Sequence, residues 1–287
     1  MDKIATPNKT KEIVTKHGFY FSKSLGQNFL IDKNIIDKII KGARITKDSY
    51  VLEIGPGIGS LTQELAEAAK KVVAVEVDKK LIPILSETLK DYKNTEIVNS
   101  DILKLDLKSL IVDRLDINKT IVVGNLPYYI TTPIIMKFLE EKIPVKSIII
   151  MIQKEVAERM KAKEATKEYG ALSIAVQYYC NVETILTVPP SVFIPQPKVE
   201  SSVIRLDVLD KPRVEVTDED VFFQLVKDAF GKRRKTLLNA LSSGTLQLNK
   251  ALIKEALEDC KIDEKRRGET LSIEEFALLA NRISEEI

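Results

Sequence analysis

Residues 50–76 read YVLEIGPGIGSLTQELAEAAKKVVAVE, and they decide the fold. Tyr50–Ile54 is a short apolar strand broken only by Glu53. It runs directly into three alternate glycines, Gly55, Gly57 and Gly59. Leu61–Lys71 then carries apolar residues at helical spacing, and Lys71–Glu76 is a second buried strand ending in an acid. Strand, helix and strand within so short a span make a βαβ unit.

A glycine-rich turn after a first strand lets backbone approach a nucleotide-like ligand. The dinucleotide fingerprint G-x-G-x-x-G would need glycine where Ser60 stands. The spacing G-x-G-x-G after Glu53 looks instead like S-adenosylmethionine binding, where no pyrophosphate has to be accommodated. A purely structural turn would have the same letters. Glu76 lies about 20 residues beyond the loop, at a strand end where a carboxylate accepts hydrogen bonds from ribose hydroxyls. A solvent-facing acid is the plainer alternative. Asp101 closes the next strand, near Glu96–Val98, where it could accept from an adenine amino group or equally be an ordinary strand-end acid.

Further along, Ile121–Tyr129 reads IVVGNLPYY, a buried strand opening into a polar, aromatic loop. Asn125 offers an amide oxygen to an amino group. Pro127 stiffens the turn, and Tyr128 supplies a flat face. Together they suit an exocyclic –NH₂ on a planar ring, although an ordinary strand with an Asn-Leu-Pro turn would look alike. Thr131-Thr132-Pro133 reads as a helix start. Lys146–Ile152 is a fifth strand and Lys154–Lys163 a helix. This alternation predicts a doubly wound, mostly parallel α/β sheet. Before the unit, Ile31–Ile40 has helical spacing, with Asp32 as cap and Gly42 as stop.

After Gly170 the pattern changes. Residues 171–180 read as helix, and Val182–Val188 and Val203–Val208 as strands around a long proline-bearing loop. This hairpin-like pair would close the sheet. From Lys211 the chain reads as all helix, with capping boxes at Thr217–Asp220 and Ser272–Glu275. Two domains are expected, residues 1–207 and 212–287.

Composition excludes several chemistries. The 287 residues are 44% hydrophobic and 30% charged, ordinary for a globular chain. His17 is the single histidine, which argues against a histidine-based metal site, a Ser-His-Asp triad or a Cys-His pair, and no metal is expected. Cys180 and Cys260 are too few for a disulfide framework, so a reduced, cytoplasmic setting is expected. The polar start shows no signal sequence, and no apolar run approaches the ~18 residues of a membrane span. The net charge of +2 hides basic clusters at Lys232–Lys235 and Lys265–Arg267. Such clusters suit phosphate contacts or solvated helix ends equally.

The motifs LGQNFL at 25–30, EIGPGIGSLT at 53–62, SDIL at 100–103, NLPYYITTPI at 125–134 and FIPQPKVESSV at 193–203, with Glu76, together resemble the rRNA adenine N6-dimethyltransferases. The resemblance spans essentially the whole chain. AFGKRRKTLLNAL at 229–241 is closer to the small-subunit branch than to the large-subunit branch that confers macrolide resistance. It implies a class I methyltransferase (Rossmann-like) domain with a C-terminal antiparallel hairpin, plus a small all-α domain. The implied activity is methyl transfer from S-adenosylmethionine to N6 of two adjacent adenines near the 3′ end of 16S rRNA during ribosome biogenesis. The implied partner is that rRNA within the small subunit or its precursor, met by a monomer.

The resemblance also implies residue roles. Asn28 and Leu30 would flank the cofactor, Gly55 meet its amino-acid end, Glu76 its ribose and Asp101 its adenine. Asn125 would touch both cofactor and target amine. The adenine nitrogen is a poor nucleophile because its lone pair is delocalised. If Asn125 Oδ1 and the Leu126 carbonyl accept its two N–H bonds, the lone pair turns toward the methyl donor. Tyr128 and Phe193 would stack on the flipped base, though a loop aromatic packed on the core is an equal reading of Phe193. Lys232, Arg233, Arg234 and Lys235 would meet phosphates. Two other readings stand beside this one: a non-catalytic module that checks ribosome maturation, and a nicotinamide-dependent enzyme. Ser60 tells against the latter.

Overall fold

The computed structural model describes residues 3–22 and 25–286. Among the described residues nine strands form: β1 Phe29–Leu30, β2 Tyr50–Ile54, β3 Lys71–Glu76, β4 Thr95–Asn99, β5 Thr120–Asn125, β6 Ser147–Gln153, β7 Cys180–Val188, β8 Phe193–Ile194 and β9 Ser201–Val208. The helices are α1 Pro7–Lys16, α2 Lys33–Gly42, α3 Ser60–Ala68, α4 Ile82–Thr88, α5 Leu107–Arg114, α6 Tyr128–Glu140, α7 Lys154–Lys161, α8 Ala171–Tyr179, α9 Glu219–Gly231, α10 Leu237–Leu241, α11 Lys250–Asp259 and α12 Ile273–Ser284.

Seven strands make one sheet in the order β4-β3-β2-β5-β6-β9-β7. The pairs β2–β3, β2–β5, β3–β4 and β5–β6 are parallel, and β9 runs antiparallel to β6. This is the expected mostly parallel α/β sheet closed by its late strands. Strands buried on both faces must be apolar throughout. Val51, Leu52, Val72, Val73, Val122 and Ile148 are accordingly buried. One face packs Val51, Ile121, Ile149 and Val203 with Ile36 and Ile39 of α2 and Leu65 of α3. A second cluster gathers Ile58, Leu81, Ile84 and Leu85 with Phe19 and Phe29.

Contacts divide the chain into two compact units. The first holds residues 1–157 and 181–208, the second 158–180 and 209–287. The later boundary falls inside the expected 207–212 window. Residues 158–180, expected with the first domain, group with the second. Within that unit the reason is plain: Tyr169 packs edge-on to Phe230, its hydroxyl donates to the Leu271 carbonyl at 3.0 Å, and Tyr178 packs on Phe222 and Phe223.

Two local expectations change. Helix α6 begins at Tyr128, before Thr131-Thr132-Pro133, and Pro133 lies inside it. Pro127 sits at the cap with φ −54, already set for a turn, and the Thr131 hydroxyl donates back to the Pro127 carbonyl at 3.1 Å. Asp218, not Thr217, caps α9, accepting from the Asp220 and Val221 amides. The expected capping box of Ser272 and Glu275 is present on α12.

Candidate active site

Because β2, β3, β4 and β5 are parallel and in register, their carboxyl ends meet at one edge of the sheet. In open α/β sheets ligands bind outside these ends. A cavity of ≈ 270 Å³ opens there. Asn28, Leu30, Gly55, Glu76, Asp101, Asn125, Leu126, Tyr128 and Phe193 all line it.

Gly55, Gly57 and Gly59 each take positive φ, of +70°, +61° and +94°. Only glycine adopts such angles without strain. At Gly57 a Cβ would meet the Phe29 ring at 3.0 Å. The Gly57 amide donates to Glu76 Oε2 at 3.3 Å and the Asp78 amide to Oε1 at 2.8 Å. Burial pushes the Glu76 carboxyl up, and these amides oppose that by bonding the charged form. A carboxylate offers about four acceptor positions, so capacity remains for a ligand.

Glu53 is 1% exposed, with Oε2 unbonded. Burial pushes its carboxyl up to about 8, and the nearby Glu76 charge pushes the same way. Asp101 lies two residues past β4, its Oδ1 accepting from the Leu103 amide at 3.0 Å. Three acids line the cavity, and among the described residues no lysine or arginine does. Glu76 and Asp101 suit a cationic nucleoside, as S-adenosylmethionine is, better than an anionic one.

Asn125 ends β5. Its Nδ2 donates to the Asn28 carbonyl at 2.9 Å. The amide is therefore turned one way, and Asn125 Oδ1 makes no hydrogen bond among the described residues. The Leu126 carbonyl is likewise without a donor there. Tyr128 stands in the first turn of α6, its hydroxyl 2.8 Å from Ser201 Oγ. Phe193 is 2% exposed and belongs to the core, in β8 paired with β1. It edges the cavity from that packed position.

Lys232, Arg233, Arg234 and Lys235 follow α9 and are exposed. Lys232 donates to the Ser243 carbonyl, while Arg233 donates to the Lys167 carbonyl and pairs with Glu269 at 3.5 Å. Arg234 and Lys235 pair with no carboxylate among the described residues. Sequence reasoning passed over Ser201, which steadies Tyr128, and Gln27 with Asp78. Gln27 sits inside the quoted 25–30 motif, and Asp78 only two residues past Glu76, but neither spacing signals a contact.

A family model described as ribosomal RNA adenine dimethylase matches residues 18–284. The ribosomal RNA small subunit methyltransferase A of Alkaliphilus oremlandii is 64% identical over 287 residues, 100% of both chains. A crystal structure of a dimethyladenosine transferase from Plasmodium falciparum superposes with a TM-score of 0.73 at 29% identity, covering 88% of this chain and 95% of that one. The 23S rRNA methyltransferase ErmE superposes with a TM-score of 0.66 at 26% identity, covering 89% of this chain and 99% of that one. Among the described residues, no helix is long and apolar enough to cross a membrane.

Proposed function

The chain belongs to the ribosomal RNA adenine dimethylase family, and from that premise we propose how its residues work. It is an S-adenosylmethionine-dependent methyltransferase that dimethylates adenines at N6 in small-subunit rRNA. We infer that the targets are two adjacent adenines near the 3′ end of 16S rRNA, in the small subunit or its precursor. We infer that the chain acts as a cytoplasmic monomer.

When bound, S-adenosylmethionine supplies an electrophilic methyl on a sulfonium. Glu76 would accept from its ribose, Asp101 from its adenine, and Gly55 would pass its amino-acid end, with Asn28, Leu30 and Asn125 beside it. The acidic lining favours its positive charge.

The observation that carries the catalytic proposal is the Asn125 amide, oriented by the Asn28 carbonyl at 2.9 Å. With Nδ2 committed, Oδ1 is left as an acceptor at the strand end. Together with the Leu126 carbonyl it takes the two N–H bonds of the adenine amine. This withdraws the nitrogen lone pair from the ring and directs it at the methyl. The hydrogen bonds strengthen as the nitrogen gains positive charge, so they favour the transition state over the ground state. The cationic product is acidic enough to lose its proton to water, so a strong base is not required. Tyr128, held by Ser201, would offer one stacking face, and Phe193, packed at the cavity's edge, would have to expose the other. Before a second transfer, the remaining N–H keeps one acceptor and the first methyl must turn away.

The test is Asn125→Ala, with methyl transfer to small-subunit rRNA and S-adenosylhomocysteine binding measured together. Loss of one such acceptor is expected to slow transfer about 10²-fold or more. Binding should stay within about tenfold, because Glu76 and Asp101 are untouched. Transfer within about threefold of the parent would reject the role.

A further inference from the structure

The segment Leu25–Asn28 crosses the cavity from one strand end to another. At the β5 side, Gly26 abuts Pro127, where a Cβ on Gly26 would meet Pro127 Cβ at 2.9 Å, and the Asn28 carbonyl accepts from Asn125. At the β3 side the Gln27 side chain makes the contact. Gln27 Oε1 accepts from the Ser22 amide at 2.8 Å, and Gln27 Nε2 donates to Asp78 Oδ2 at 2.8 Å. Asp78 in turn donates its own amide to Glu76 Oε1, while its Oδ1 accepts from the Lys80 amide at 3.0 Å. A continuous run of hydrogen bonds thus joins the segment to the carboxylate assigned to the ribose.

We propose that Gln27 is a positioning residue for the cofactor: its amide straps the segment across the cavity to Asp78, retaining the bound cofactor and holding the turn that orients Glu76. An amide suits this place because it accepts from an N–H with one end and donates to a carboxylate with the other. A glutamate has the shape but sets carboxylate against carboxylate. The inner end of the segment is secured independently, by the Asn28–Asn125 bond and by the antiparallel pairing of β1 with β8. Loosening Gln27 therefore frees the cover over the cofactor and leaves the catalytic amide oriented. The role rests on the cavity being the cofactor site.

The experiment titrates S-adenosylhomocysteine by calorimetry into the full chain and into Gln27→Glu, Asp78→Asn and the double variant, with thermal unfolding as control. Gln27→Glu is expected to weaken binding about tenfold or more, through the loss of one charge-assisted hydrogen bond and the added repulsion. The double variant restores the bond with donor and acceptor exchanged. The amide introduced at position 78 donates to the carboxylate introduced at position 27, and that carboxylate still accepts from the Ser22 amide. Affinity of the double variant should return to within about threefold of the parent. In steady state, Gln27→Glu should raise the cofactor KM in parallel, with kcat at saturation within about threefold. If Gln27→Glu fails to fold, the apolar isostere Gln27→Met is expected to show the same loss of affinity. Additive losses in the double variant, or Gln27→Glu within about twofold of the parent, would overturn the strap. Failure of the parent chain to bind would strike the cofactor reading itself.

Discussion

Glu53 is a buried acid beside a second acid, with one oxygen unbonded. Its carboxyl, raised to about 8 by burial, binds a proton more tightly folded than unfolded, where an ordinary value near 4.5 applies. The stability it contributes is therefore full below about pH 4.5 and is lost as pH rises toward 8. Glu53→Gln mimics the protonated form at every pH. It is expected to leave Tm nearly unchanged at pH 5 and to raise it by several degrees at pH 9, at ~2–4 °C per kcal/mol. Calorimetric scans of both proteins across that range check this. A parallel pair of profiles would show that Glu53 is already ionised in the fold. At the same scale, the identity of Asn125 was legible in NLPY, but its orientation was not. The amide is turned by a carbonyl 97 residues away in sequence, and no local pattern encodes that contact.

Among elements, the glycine loop between β2 and α3 is the most constrained. Gly57 combines φ +61° with a Phe29 ring where its Cβ would sit, and its amide bonds Glu76. Gly57→Ala is expected to cost about 1–3 kcal/mol of strain and crowding. It should weaken S-adenosylhomocysteine binding about tenfold or more by displacing that amide from Glu76. Titration with a parallel unfolding curve separates the two effects, and unchanged affinity would mean the loop does not shape the site. The loop was readable because three alternate glycines directly after an apolar strand mark a tight turn. The start of α6 was misplaced because Thr-Thr-Pro looks like a cap in isolation. Pro127, stiff and already at the strand end, begins the helix earlier, and so sets Tyr128 in its first turn beside the cavity.

For the whole molecule, we propose that the basic turn after α9 meets rRNA phosphates. Its four cations are not equivalent. Arg233 is engaged by Glu269 and the Lys167 carbonyl, whereas Arg234 and Lys235 have no carboxylate partner among the described residues. Replacing both Arg234 and Lys235 by alanine is expected to weaken rRNA binding, most strongly at low salt. It should also lower the slope of log affinity against log salt by about 1–2, at ~0.7–0.9 per phosphate contact. Cofactor affinity should not change. Filter binding over a salt series measures this, and an unaltered slope would place the phosphate contacts elsewhere. The division into units was half legible: the shift from strands to helices marks the boundary near residue 208. That residues 158–180 join the helical unit was not, because Tyr169 and Tyr178 find aromatic partners more than 40 residues away.

By itself the sequence determined the alternation of strand and helix, the glycine turn and the acids at strand ends, because periodicity and backbone freedom are local properties. It also carried, through its motifs, the family to which the chain belongs. Tertiary structure alone decided which way the Asn125 amide faces, how Gln27 reaches Asp78, and that Phe193 serves the core while edging the cavity. Each of these is a hydrogen bond or packing contact between residues far apart along the chain. Such contacts exist only once the sheet has brought its strand ends together.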